Sequence, residues 1–399
     1  MKYIEQIKLI ENAIASGNKL SDLLNSMGLS YDDLSYSDSG SNIPTTNVDE
    51  FVNIEKIKPA NDRIPAVSFF SGAGGLDIGF ELAGFRNLIS IEHTEIFCNT
   101  LRYNNPNKLV IGPPYYAGDV SDRETIYNLL LENGIDIPFN GVFHGGPPCQ
   151  SFSIAANQRF SKAGANFKRT GFEDKEKGRL IFDYIWYIKQ FRPLAFLIEN
   201  VGGIAEFDDD DQITEEIQKL REIGYIISDP IVLDAAYYNV PQHRKRWIVL
   251  GTRGNTPIQY PKPSKKPLPC GIVFQRPIGE VQNHVTREHK AESVLRYMKL
   301  LPGQRDHLGR VDRLDASKPS KTIIAGGVKG GGRSHLHPFF PRTISVRECA
   351  RIQTFPDSYV FTGTTARQFT QVGNAVPPML AYRLAVEIKK AILNDASSG

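Results

Sequence analysis

The run Gly145-Gly146-Pro147-Pro148-Cys149-Gln150-Ser151-Phe152-Ser153 carries the residue types best suited to covalent chemistry. Cys149 follows two prolines at the end of the apolar run Asn140-Gly-Val-Phe-His144, where a buried strand gives way to a loop. Parallel sheets expose their reactive groups at such points. A partly ionised thiol is the best side-chain nucleophile near neutral pH, and Pro147 and Pro148 restrict the backbone leading to it. A bare cysteine is more often a small buried hydrophobe, but the polar neighbours Gln150, Ser151 and Ser153 favour a nucleophile. Glu199 ends the apolar strand Leu194-Ala-Phe-Leu-Ile198 and is a candidate acid or base; alone, it could equally be a solvated strand end. Arg246 enters the strand Trp247-Ile-Val-Leu250, which is costly unless an anion meets it, so it is a candidate partner for Glu199 and for a substrate oxygen. Arg244 and Lys245 fit a solvent-facing basic loop about as well.

A second constellation lies upstream. The strand-length run Ile64-Pro-Ala-Val-Ser-Phe-Phe70 stops at Ser71-Gly72-Ala73-Gly74-Gly75, and a helical pattern follows through Leu76, Ile78, Phe80 and Leu82 to Gly84. Glycines let backbone amides and a helix N-terminus approach a ligand closely. The next strand, Leu88-Ile-Ser-Ile91, ends in Glu92, placed to accept hydrogen bonds from a ribose, and a third should end near Asp119. Together these predict an adenosine-containing cofactor. Asp77 stands where a dinucleotide fingerprint needs glycine, which disfavours a nicotinamide cofactor.

The elements that must position these groups are an α/β alternation, predicting a doubly wound, mostly parallel sheet with a smaller inserted domain. The expected division is a helical extension and linker over 1–60, a cofactor-binding catalytic domain over 61–254, an inserted second domain over 255–340, and a return to the catalytic domain over 341–399. Residues 1 to about 33 predict two short amphipathic helices, expected to cover the sheet; Ser35 to Asn42 predicts a flexible linker. The aperiodic stretch between Cys149 and Gly178, with Arg159, Lys162, Lys168 and Arg169, predicts a closing loop. A net charge of +3 says nothing by itself about nucleic acid. Cys98, Cys149, Cys270 and Cys349 form no C-x-x-C pair, so neither a metal site nor a disulfide framework is expected. Without a long apolar run or a signal-like start, a soluble cytoplasmic chain without membrane contact is expected.

Six motifs stand in order: Phe70 to Gly75, Gly146 to Ser153, Glu199 to Val201, Gln242 to Arg246, Arg347 to Arg351, and Gln371 to Asn374. The set resembles the DNA cytosine-5 methyltransferases, especially bacterial modification enzymes, over roughly residues 64 to 395. Each motif alone is weak; the order makes them specific. The resemblance implies a Rossmann-like methyltransferase fold, S-adenosylmethionine as methyl donor, and a flipped-out cytosine in a specific duplex DNA sequence as acceptor, with a partner restriction endonuclease and a monomer acting on DNA. It places Phe70, Gly72, Ala73, Gly74, Gly75, Glu92, His93, Asp119, Val120, Leu180 and Asn374 in the cofactor pocket. Cys149, with Pro148, Glu199, Arg244 and Arg246, falls in the catalytic centre. Two departures are Ser68, where the family often has aspartate, and His93, where an aromatic ring is common. The mechanism also follows from chemistry: a thiolate added at ring carbon 6 turns carbon 5 into an enamine able to take a methyl group. An RNA cytosine methyltransferase and a catalytically silent DNA-binding relative are the alternatives. The inserted domain favours duplex DNA, and intact Cys149, Glu199 and Arg246 favour an active enzyme. Arg305, Arg310, Arg313, Lys329 and Arg333 are candidate readers of guanine or phosphate.

Overall fold

The computed structural model describes residues 1–38, 52–59, 63–148, 179–206, 212–324 and 335–398. The chain opens with helices α1 (Tyr3–Ser16) and α2 (Leu20–Ser26). There follow β1 (Ile64–Phe69), α3 (Gly75–Ala83), β2 (Phe85–Ile91), α4 (Glu95–Asn104), β3 (Leu109–Ile111), α5 (Arg123–Glu132) and β4 (Val142–Gly145). Beyond lie α6 (Leu180–Phe191), β5 (Ala195–Val201), α7 (Gln212–Glu222), β6 (Ile226–Ile227), β7 (Ile231–Asp234) and β8 (Lys245–Thr252). The later helices include α8 (Ala291–Tyr297), α9 (Val346–Ile352), α10 (Thr365–Asn374) and α11 (Pro378–Ser398).

The sheet runs β3-β2-β1-β4-β5-β8-β6, with β7 also on β8. Pairs among the first five strands are parallel; β8 is antiparallel to β5, β6 and β7. The α/β, mostly parallel sheet is therefore as the sequence predicts, and β7 is an addition. Successive strands run outward from β1 to β3, then the chain returns to β4 on the other side of β1. That reversal is where open α/β sheets bind ligands. Phe69 and Gly145, the last residues of β1 and β4, are register partners, so the glycine turn and the Pro147-Pro148 segment leave the sheet side by side.

Strands covered on both faces read as continuous apolar runs, and β4 and nearly all of β5 are buried. Phe69 packs on Phe143, Tyr184 and Tyr187 at ring separations of 5.0 to 5.3 Å. Helix α11 closes on α3 because Gly79 lacks a side chain: a Cβ there would lie 2.4 Å from that of Ala381. Two expectations shift. The third strand ends at Ile111, well before Asp119, because Pro113 and Pro114 cannot extend the ladder. Glu199 and Asn200 lie inside β5, since its pairing with β8 runs on through Val201.

Two compact units divide the chain. One holds the described parts of Val52–Tyr238, Arg244–Lys265 and Ala375–Gly399, including the sheet. The other holds those of Met1–Phe51, Asn239–His243 and Lys266–Asn374. In the second unit, Ile10, Ala13, Leu20, Leu24 and Leu34 form one buried cluster with Ala291, Val294 and Met298. The amphipathic face of α1 and α2 thus covers α8, which corrects the expectation that it covers the sheet. Residues 35–38 are not linker-like either: Tyr36 is buried, donates to the Pro338-adjacent carbonyl of His337 at 2.7 Å, and lies 3.6 Å beneath the Arg313 guanidinium. No described helix is long and apolar enough to cross a membrane.

Candidate active site

Glu199 projects from β5 and Arg246 from β8, with Arg246 Nε 2.6 Å from Glu199 Oε1. Arg246 also donates to the carbonyl of Lys245 at 2.7 Å. Burial raises the Glu199 carboxyl above its ordinary range, outweighing the opposing effects of Arg246 and Arg244. The other carboxylate oxygen lies against Gly146, where a Cβ would stand only 2.6 Å away. Asn200 donates to the carbonyl of Pro147 at 3.4 Å. The acid is therefore seated on the backbone three residues before Cys149. Cys149 itself, and the basic stretch after it, lie outside the described residues. Arg244 is buried, and its backbone amide donates to Asp234 Oδ1 at 3.0 Å. Pro148 is half-buried.

At the end of β1 the chain turns sharply. Phe70, Gly72 and Gly74 have φ of 52°, 54° and 79°; the value for Phe70, a bulky residue, is the kind of strain that concentrates at functional sites. Glu92 takes one amide on each oxygen: Gly72 N at 2.9 Å on Oε2 and Thr94 N at 2.8 Å on Oε1. Each oxygen keeps a lone pair for a further donor, the arrangement two ribose hydroxyls require. His93 beside it is exposed, its Nδ1 3.3 Å from Glu92 Oε1. Ala73 is buried at the turn, and Gly75 opens α3 with Val376 O only 2.1 Å from where its Cβ would be, so its missing side chain serves helix packing. Leu180 is the half-buried first residue of α6, whose Tyr184 meets Phe70 edge-on at 6.2 Å. Val120 is buried, with its carbonyl on Tyr187 Oη at 3.0 Å, whereas Asp119 is exposed and caps Ser121 N at 2.9 Å. Asn374 is the exposed last residue of α10, in the other compact unit.

Of the candidate readers, Arg313 is buried and committed internally, to Pro338 O at 2.9 and 3.1 Å, Leu300 O at 2.6 Å and Asp38 at 2.7 Å. It cannot also read a base. Arg305 pairs with Asp312 at 3.0 Å and Arg310 has a φ of 55°; Lys329 and Arg333 lie outside the described residues. Sequence reasoning missed Gly146 as the seat of the acid and Ser68, Asp77 and Lys108 beneath the glycine turn. Asp77 and Glu81, one helical turn apart in an otherwise apolar run, were the available signal.

The model of the C-5 cytosine-specific DNA methylase family matches residues 64–298 and 275–390. The chain belongs to this family. Among its relatives are the Type II methyltransferase M.PspPI of Psychrobacter sp. (strain TA137), 33% identical over 355 residues that cover 82% of this chain and 78% of that one. Another is the Type II methyltransferase M.Eco47II of Escherichia coli, 31% identical over 363 residues, 84% of this chain and 81% of that one. These place it among the bacterial restriction-modification cytosine-5 methyltransferases, and it is a DNA cytosine-5 methyltransferase. A crystal structure assigned to a prophage DNA modification methyltransferase from E. coli shares the fold, with a TM-score of 0.61 and 24% identity over 83% of this chain and 99% of that one.

Proposed function

We propose that this methyltransferase modifies carbon 5 of a cytosine flipped out of a specific duplex DNA sequence, through a covalent adduct to Cys149, and protects host DNA from a partner restriction endonuclease. The observation that carries the reading is the seating of Glu199. Its carboxyl, with a raised proton affinity, is held by Arg246 and rests on Gly146 in the segment that leads into Cys149.

The glycine turn and Glu92 fit S-adenosylmethionine. Glu92 has its carboxylate fixed by amides at 2.8 and 2.9 Å, and at Gly72 a Cβ would meet nothing nearer than Phe70 O at 4.0 Å. Phe70, Gly72, Ala73, Gly74, Glu92, His93, Asp119, Val120 and Leu180 would hold it. When bound, it supplies an electrophilic methyl group. The chain does the rest. The Cys149 thiolate adds to ring carbon 6, breaking the 5,6 double bond and making carbon 5 nucleophilic. Glu199 gives its proton to ring nitrogen 3 as that bond forms, so the added electron pair does not accumulate as uncompensated charge. Arg246 holds Glu199 and offers donors to the exocyclic oxygen. Once carbon 5 carries the methyl group, ring nitrogen 3 returns its proton to Glu199, and loss of the carbon 5 proton to a base expels the thiolate and restores the 5,6 double bond. A stacked cytosine cannot reach these groups, so it must leave the duplex.

Duplex DNA with 5-fluorocytosine in place of cytosine, incubated with S-adenosylmethionine, tests this: fluorine blocks the final elimination and traps the adduct. A cross-link mapped to Cys149 is expected. An adduct with RNA only, or none with a protein shown to bind both ligands, would overturn the reading.

A further inference from the structure

Asp77 stands at the centre of a buried chain of polar contacts under the glycine turn. Its Oδ1 accepts from Ser68 Oγ at 2.5 Å and its Oδ2 from Ser90 Oγ at 2.7 Å, hydroxyls that face it from register partners on β1 and β2. The Lys108 ammonium, itself buried, meets the same Oδ2 and reaches Glu81 at 3.3 Å. Ser68 Oγ in turn accepts from Ser71 Oγ at 2.9 Å. Ser71 opens the turn: its amide donates to Ile91 O at 3.0 Å, and the next amide, of Gly72, donates to Glu92 at 2.9 Å. An unbroken path thus runs from Lys108 through Asp77, Ser68 and Ser71 to the residue that binds Glu92. Burial opposes charge on both Asp77 and Lys108, yet each holds the other ionised, the carboxyl below its ordinary range and the ammonium above.

Buried ion pairs are a weak source of stability compared with apolar residues of the same size. What this one supplies is direction, because each carboxylate oxygen is committed to a different strand. We propose that Asp77 and Lys108 are positioning residues for the cofactor: they orient the Ser68–Ser71 hydroxyls that set the Gly72 amide against Glu92. The inference rests on reading the glycine turn and Glu92 as the S-adenosylmethionine site.

The test is calorimetric binding of S-adenosylmethionine to the full chain, with steady-state kinetics on duplex DNA. The double variant Asp77→Asn/Lys108→Met removes both charges together, leaving no lone buried ion, and Ser71→Ala breaks the path without touching a charge. Positioning predicts binding about tenfold weaker in the double variant and several-fold weaker in Ser71→Ala, with KM for the cofactor raised and kcat and KM for DNA within about twofold. A purely structural pair would lower the melting temperature and the active fraction without changing the affinity of folded protein. Wild-type affinity in folded Ser71→Ala overturns the proposal, whether or not the double variant folds. Glu92→Ala separates the two levels: if it too binds normally, the cofactor reading fails; if it alone binds weakly, only the positioning proposal does.

Discussion

Glu199 and Arg246 meet diagonally across the antiparallel β5–β8 pair, where Val201 is the register partner of Arg246 and Ile248 that of Glu199. Two residues out of step, both side chains fall on one face and close to 2.6 Å. The pair is nearly buried, so removing the cation leaves a carboxyl with no fixed orientation in a poorly solvated site. Arg246→Ala and Glu199→Gln should each lower the single-turnover methylation rate by about 10²–10³-fold, with DNA affinity changed far less. Rapid-quench measurement at saturating DNA checks this. An effect confined to DNA binding would remove both residues from the chemistry.

Gly146 gives a sharper version of the same test. A methyl group there would stand 2.6 Å from Glu199 Oε2, and Arg246 leaves the carboxylate little room to retreat. Gly146→Ala should therefore slow methylation at least tenfold while every charged group and Cys149 remain in place. Retained turnover, measured alongside the melting temperature, would mean that the seating of Glu199 is incidental.

Much of this site was legible because its chemistry is local in sequence. A glycine turn after a buried strand, an acid at the next strand end and a cysteine after Pro147-Pro148 are each short-range signals, and the sheet places them together by a general rule of topology. What was not legible depended on long-range pairing. That Glu199 lies within β5 follows from β8 extending the ladder, and β8 is more than forty residues away. Asp77 looked like a mere departure from a fingerprint because its partners Ser68, Ser90 and Lys108 come from three other segments. Residues 35–38 looked like linker because their composition is polar, although Tyr36 and Asp38 are both committed to Arg313.

Glu92 should act on one ligand only. Its carboxylate is tied to the amides of Gly72 and Thr94 and has lone pairs left for hydroxyl donors. Glu92→Ala is expected to weaken S-adenosylmethionine about 10- to 100-fold, as loss of charged hydrogen bonds to two hydroxyls would, with DNA affinity nearly unchanged. Titration calorimetry and filter binding separate the two. Equal loss of both would argue against a ribose contact.

The N-terminal segment should prove indispensable to its own compact unit. It contributes Ile10, Leu20, Leu24 and Leu34 to the cluster over α8, each worth roughly 1.5–3 kcal/mol when buried. It also supplies Asp32 to Arg342 and Asp38 to Arg313, both buried arginines. Deleting residues 1–38 should give insoluble protein or early proteolysis within 266–374, while Asp38→Asn alone should leave a folded chain with a modestly lower melting temperature. A soluble, fully active deletion variant would show the segment to be dispensable.

That unit should also be acid-sensitive, as should the sheet, where burial pushes His144 of β4 down to about 4. His337 Nδ1 accepts from the amides of Phe339 and Phe340 at 3.1 and 3.2 Å, and His289 Nε2 accepts from that of Thr343 at 3.1 Å, so both rings must be neutral. Burial, with Arg342 nearby, pushes them from 6.5 down to about 3 and about 4. A depressed folded-state value means stability that is present above 6.5 and lost as pH falls toward the folded value, because only the unfolded chain takes up the proton. Each ring should then contribute a loss of about 2 kcal/mol between pH 6.5 and 5. Glu348, held by Arg342 at about 2 despite its burial, adds to the loss only below its ordinary 4.5. Thermal melts from pH 8 to 5 should show this slope, and His337→Asn, whose side-chain oxygen can still receive the two amides, should flatten it. An unchanged slope would mean that His337 is not buried in its neutral form.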